Sequence, residues 1–257
     1  MSENNHYKIL VTGAGGIGGV NFVSALRITN SNYNIIGTDF NRFYLEFPQL
    51  DSKYNTPRHS EPEFLQIIKN IIEKNKIQFL HPSPHSEASI IAKNIEQIKT
   101  STYLPNYSII IRDKLETQKI LEKESMPVAK TEIVSSLDEI KSKKERFTDN
   151  KVWVRMKSGA GGRLSLLCKN EVEVENWIEL WVNRGIAEYS DFIIQEYLPG
   201  RNIAHDSLWF KGKFIASYAR ERLEYPFKHI SPSGITGTPT VSRIIISEQV
   251  NEISNKA

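Results

Sequence analysis

Lys151-Val-Trp-Val-Arg155-Met-Lys157-Ser-Gly-Ala-Gly-Gly162-Arg-Leu-Ser-Leu-Leu167 reads as two apolar strands joined by a glycine-rich loop. The first strand ends in a cation, Arg155. Glycines let backbone N–H groups approach a ligand closely, and a run of such donors makes a concavity for an anion. An arginine adds a planar fork of donors suited to phosphate. No helix follows the loop, and it lacks a Gly-Lys-Ser/Thr ending, so it is not a phosphate loop of the strand–loop–helix type. Two readings stand: a hairpin turn, or a cover over an anion.

Around this stretch the chain mixes helices with strands. Residues 112–125 read as a helix stopped before Pro127, 130–134 as a strand, and Ser136 as the cap of a helix through Lys144. Beyond the glycine loop come a helix over 174–183, a strand over 192–197, and a hairpin of 203–210 with 213–222 around Lys211-Gly-Lys213. Residues 226–240, rich in Pro, Ser, Gly and Thr, are expected to be a mobile loop before a strand at 241–246 and a last helix from Ser247. Arg220 and Arg222 fall on one strand face, since side chains repeat every two residues. They are either solvated or turned toward an anion.

The first 110 residues alternate strand and helix: strands at 7–12, 34–38 and 77–80, helices at 20–28, 61–76 and 86–98. That alternation predicts an α/β unit with a parallel sheet and right-handed crossovers. Gly13-x-Gly15-Gly16-x-Gly18 lies between the first strand and first helix, and Asp39 ends the next strand. This matches a dinucleotide fingerprint with a ribose-binding acid, although such a loop can hold any anion at the helix N-terminus. A short-chain dehydrogenase or epimerase needs a Tyr-x-x-x-Lys pair, and no tyrosine here has lysine four residues later. His81-Pro-Ser-Pro-His85 has the spacing of two helical metal ligands, but its prolines exclude that helix. The segment reads as a loop, with His85 and Glu87 at the strand ends.

With 39% hydrophobic and 25% charged residues and a net charge of +3, the composition is that of an ordinary globular protein. Lysines alternate with acids, so no nucleic-acid stripe is expected. The single cysteine, Cys168, forms no internal disulfide and reads as a buried thiol in a reducing compartment. No apolar signal or long apolar run is seen, so a cytoplasmic location without membrane contact is expected.

The order Ile9-Leu-Val-Thr-Gly-Ala-Gly-Gly-Ile-Gly18, Asp113-Lys114, Val152-Trp-Val-Arg155 with its glycine loop, then Gln195-Glu-Tyr-Leu-Pro-Gly200 resembles the ATP-grasp superfamily over nearly the whole chain. Within it the likeness is to carbamoyl-phosphate synthase large-subunit-like proteins. The resemblance implies a Rossmann-like pre-ATP-grasp domain over 1–110 and an ATP-grasp α+β domain over 111–257, incomplete at its end. It implies ATP and Mg2+ as cofactors, with Lys114 and Arg155 on the phosphates. Lys157, Ser158, Gly159, Ala160, Gly161 and Gly162 would close over them. Gln195, Glu196, Tyr197 and Leu198 would lie against adenine, and Asn202 near the ribose. Arg155, Arg220 and Arg222 are the implied catalytic cations, and Gly13, Gly15, Gly16, Gly18 and Asp39 the implied substrate side.

The implied reaction is ATP-dependent activation of a carboxylate or carbonate-like small molecule as an acyl phosphate, followed by attack of an amine or similar nucleophile. A homodimer is open. Two departures stand against the family pattern. Asn202 replaces the usual ribose glutamate, and after Val241 only Glu248, Glu252 and Asn255 could serve as metal ligands, on an expected helix. The chain is therefore expected to be inactive as it stands, as a truncated piece or a protein that has lost catalysis. The alternatives are an NAD(P)-binding Rossmann oxidoreductase or epimerase, and a non-catalytic nucleotide-binding module.

Overall fold

The computed structural model describes residues 6–29, 31–105, 113–147, 149, 151–159 and 162–256. The chain divides into two compact units, Met1–Ile110 and Ile111–Ala257.

The first unit is a five-stranded parallel sheet: β1 (Tyr7–Thr12), β2 (Tyr33–Asp39), β3 (Ser52–Asn55), β4 (Phe79–Pro82) and β5 (Ser101–Thr102), in the order β3-β2-β1-β4-β5. The helices are α1 (Ile17–Ile28), α2 (Phe64–Asn75) and α3 (His85–Lys93). Alternation along the strands splits the core into two layers. Ile9, Val11 and Ile35 pack with Val23 of α1. Leu10, Ile36 and Leu80 pack with Phe64, Ile68, Ile71 and Ile72 of α2 and Ile91 of α3. Burial of each large apolar side chain contributes about 1.5–3 kcal/mol, which is why the helical spacing of the isoleucines fixes α2 against the sheet.

Several local expectations differ from this structure. β3 and β5 are strands that the sequence pattern does not show, because β3 is a polar edge and β5 has two residues. The helix expected through residue 98 ends at Lys93, where Asn94 leaves the helical region, and Ile95–Gln97 forms a separate turn. His81 and Pro82 belong to β4 rather than to a loop.

The second unit has two antiparallel sheets. One holds β6 (Thr131–Ile133), β7 (Val152–Met156), β8 (Leu166–Cys168) and β9 (Phe192–Glu196) in the order β6-β9-β7-β8. Its apolar face, with Val152, Val154, Cys168, Phe192 and Ile194, packs on α5 (Glu139–Lys144) and α6 (Glu171–Asn183) through Ile140, Val174 and Ile178. The other sheet is β10 (Ile203–Phe210), β11 (Lys213–Glu224) and β12 (Val241–Ile245). α4 (Lys114–Lys123) opens the described part of this unit and α7 (Glu248–Lys256) ends it.

α5 begins after Asp138, not at Ser136. The stretch 226–240 is irregular, as expected, but it is tied down: Gly234 N–H donates to Ser231 O at 2.9 Å within it, and Thr240 N–H to Glu224 O at the end of β11 at 2.9 Å. Among the described residues no helix is long and apolar enough to cross a membrane.

Candidate nucleotide cleft

The second unit holds a cavity of about 880 Å3. One wall comes from α4, where Lys114, Thr117, Gln118 and Leu121 line the space. These positions recur at helical spacing, so a single face turns inward. The first turn of α4 is fixed by Asp113, whose carboxylate accepts N–H bonds from Leu115 (2.7 Å) and Glu116 (3.3 Å). A second wall is the sheet face opposite the core. Val152 and Val154 point to the core, so Trp153 and Arg155 point to the cavity. Trp153 pairs with Gln195 across the sheet, and Gln195 donates to Thr131 Oγ1 at 2.6 Å. Trp153, Met156, Leu121, Val128 and Ala129 make the apolar part of the lining.

The glycine loop joins β7 to β8 as a hairpin. Gly159 (φ +91) and Gly162 (φ +69) adopt left-handed backbone that a side chain resists. A side chain at Gly162 would also come within 3.0 Å of Ile235 O. The loop at 235–238 thus sits against the glycine loop, and Ile235, Gly237 and Thr238 line the cavity. Lys114 bridges the parts: its N–H donates to Lys157 O at 2.8 Å and its Nζ to Gly159 O at 2.9 Å. Ala160 and Gly161, expected in this loop, lie outside the described residues.

The lining is cationic. Lys114, Arg155, Arg163 and Arg222 face one carboxylate, Glu196, and that group already accepts Lys130 N–H at 3.2 Å. Burial lowers the Lys114 pKa, the Arg155 charge lowers it further, and Asp113 opposes both. Burial likewise lowers the Arg155 pKa. Arg155 Nε and Arg222 Nε are buried without a hydrogen-bond partner among the described residues. Buried donors of this kind, gathered around one space, favour a multivalent anion.

Of the residues singled out from sequence, Lys114, Arg155, Ser158, Gly159, Gly162, Gln195, Glu196, Tyr197, Leu198, Asn202 and Arg222 meet at this cavity. Two others do not. Lys157 Nζ turns to Asp191 at 4.0 Å. Arg220 pairs with Asp206 at 3.5 Å and stacks 5.8 Å from the Tyr218 ring. It sits two residues, about 7 Å, before Arg222 along β11, so sharing a face does not bring both to the same place. Arg163, which the sequence pattern does not single out, also lines the cavity. Sequence reasoning missed the α4 face and Trp153, which helical spacing and strand alternation would have flagged. The loop at 235–238 carried no such signal.

The glycine loop of the first unit is occupied by its own chain. Ala14 N–H donates to Thr38 O at 2.9 Å, Gly16 N–H to Gly13 O at 3.1 Å, and Gly15 N–H to Asp39 Oδ2 at 3.1 Å. Asp39, read as a ribose acid, is 4% exposed, and its other oxygen accepts Asn41 N–H at 2.9 Å. It latches the loop. Side chains at Gly13, Gly15 and Gly18 would collide with Pro84, Tyr44 and Ser83 respectively, so close packing accounts for these glycines. His81 stacks on Phe22 with ring centroids 3.6 Å apart, and burial lowers its pKa to about 4. His85 opens α3.

No family model matches the sequence, and no curated protein matches it. Solved structures do match in fold. N5-carboxyaminoimidazole synthetase from Staphylococcus aureus, complexed with ADP, is 15% identical with a TM-score of 0.69. The match covers 97% of this chain and 62% of that one. L-amino acid ligase from Bacillus licheniformis is 11% identical with a TM-score of 0.67, over 98% of this chain and 59% of that one. The biotin carboxylase domain of 2-oxoglutarate carboxylase from Hydrogenobacter thermophilus forms a dimer, in complex with MgADP, ADP and bicarbonate. It is 16% identical with a TM-score of 0.62, over 84% of this chain and 50% of that one. The chain spans half to about three-fifths of the length of these structures. The fold they share with it is the ATP-grasp fold.

Proposed function

We propose that this chain, which has the ATP-grasp fold, binds ATP in the cleft of its second unit and belongs to a ligase. The ligase would activate a small carboxylate or carbonate-like substrate as an acyl phosphate for attack by an amine or similar nucleophile. One observation carries the reading. Lys114, Arg155 and Arg222, with the glycine loop, face the same cavity as the apolar group around Trp153. A triphosphate and a purine need that pairing of cations with an apolar wall. Solved neighbours complexed with ADP and MgADP support it.

Within that reading, Lys114 and Arg155 neutralise phosphate charge, and N–H groups of the glycine loop would add donors. Trp153 and Leu121 exclude water from the base. Asn202, near the start of β10, would meet the ribose hydroxyls. The described residues hold no group of three metal-ligating side chains, and the cleft's one carboxylate, Glu196, accepts Lys130 N–H. Mg2+ usually takes about one or two carboxylates together with substrate phosphates, so it would rest mainly on the nucleotide. No step is therefore routed through the metal. We propose on the same ground that the chain binds nucleotide without turning it over.

Photolabelling with 8-azido-ATP, followed by peptide mapping, tests the placement. Labels in peptides covering 114–128 and 153–159, suppressed by excess ATP, are expected. Labelling confined to 13–20 would instead favour a dinucleotide site in the first unit.

A further inference from the structure

Glu221 lies on β11 between Arg220 and Arg222 and is 8% exposed. Its carboxylate accepts from Arg201 Nε at 3.1 Å, from Arg201 Nη2 at 2.9 Å and from Arg243 Nη2 at 2.6 Å. Arg243 is its direct cross-strand neighbour on β12. Strand alternation puts Glu221 on the face opposite Arg222. Arg201 belongs to the segment leaving β9, just after Gly200 with φ +118. The next residue, Asn202, lines the cleft, and its carbonyl accepts Arg222 N–H at 2.8 Å. One carboxylate thus ties the exit segment, β11 and β12 together behind the two residues that reach the cavity. The two arginines hold its pKa down at about 2, so it stays charged at any working pH.

We propose that Glu221 is a positioning residue: through Arg201 it holds Asn202 and Arg222 at the cleft. The role rests on the nucleotide reading above. Glu221 is buried but both arginine side chains are more than half exposed, so solvent screens the pairs and moderates their share of global stability. The effect is therefore local, on the segment that carries Tyr197, Leu198 and Asn202.

The test uses the full chain with Glu221→Gln, Arg201→Gln and the double variant. ATP affinity is measured by calorimetry, and exchange of the Arg222 amide by hydrogen-exchange NMR. Each single variant should weaken ATP binding about tenfold, and the double variant no more than either single, because both remove one link. Arg222 amide exchange should quicken in all three, with thermal unfolding nearly unchanged. Multiplying losses, or unaltered affinity with unaltered exchange, would overturn the proposal. Should the unmutated chain bind no ATP, the nucleotide reading fails by itself and the exchange result decides: faster exchange upholds the positioning role, and unchanged exchange ends it.

Discussion

Replacing Glu87 with Gln isolates the charge of a buried acid. Glu87 is 6% exposed on α3, and its Oε2 has no hydrogen-bond partner among the described residues. That oxygen lies 3.5 Å from where a side chain at Gly13 would begin. Burial pushes the Glu87 pKa from 4.5 up to about 7, the Thr12 hydroxyl opposes this, and the Asp39 charge adds to it. The folded value exceeds the unfolded one, so the native state favours the protonated acid. Its contribution is full below pH 4.5, falls as pH rises to about 7, and is lost above that. At about 1.4 kcal/mol per pH unit, the interval corresponds to about 3 kcal/mol. A glutamine keeps the shape and cannot ionise. Relative to the unmutated chain, Glu87→Gln should therefore gain about 3 kcal/mol of stability between pH 4.5 and 8. All four tryptophans, Trp153, Trp177, Trp181 and Trp209, lie in the second unit. Unfolding of the first unit is best followed in urea by hydrogen exchange of β1 and α3 peptides at both pH values. A stability difference that does not change with pH would mean that Glu87 does not titrate with a raised pKa in the folded unit.

Arg155→Ala should weaken ATP binding about tenfold or more, since a hydrogen bond to a charged group is worth about 1.5–3 kcal/mol. Arg163→Ala, at an exposed position, should cost about 1 kcal/mol or less; calorimetry on both variants checks the order. Gly13→Ala forces a side chain at φ +57 to within 2.1 Å of Pro84. It should destabilise the first unit by about 2–4 kcal/mol in the same exchange assay. Cys168 is fully buried, and burial pushes its thiol up to about 12. It should resist a thiol reagent in native buffer and react only in denaturant, as read by absorbance.

Much of the architecture was legible because its signals are local. Alternation in β1 and β2, helical spacing of isoleucines in α2, and the turn glycines of the 159–162 loop each follow from neighbours in sequence. Lys114, Arg155 and Gln195 could be placed through the resemblance alone. What sequence hid depends on packing between distant segments. Asp39 looks like a ligand acid until Gly15 N–H is seen to use it. Arg220 and Arg222 look equivalent until Asp206 takes the first of them. The Arg201–Glu221–Arg243 group joins residues up to 42 positions apart in number, and no spacing rule announces it. β3 is a polar edge whose one partner is β2, so it carries no hydrophobic alternation.

The central claim is that the anion site lies in the second unit rather than in the glycine loop of the first. Calorimetric titration of the chain with ATP and, separately, with NADH tests it most directly. ATP should bind measurably, Arg155→Ala should reduce that binding, and NADH should give no appreciable heat. Tight NADH binding, with no ATP binding, would contradict it.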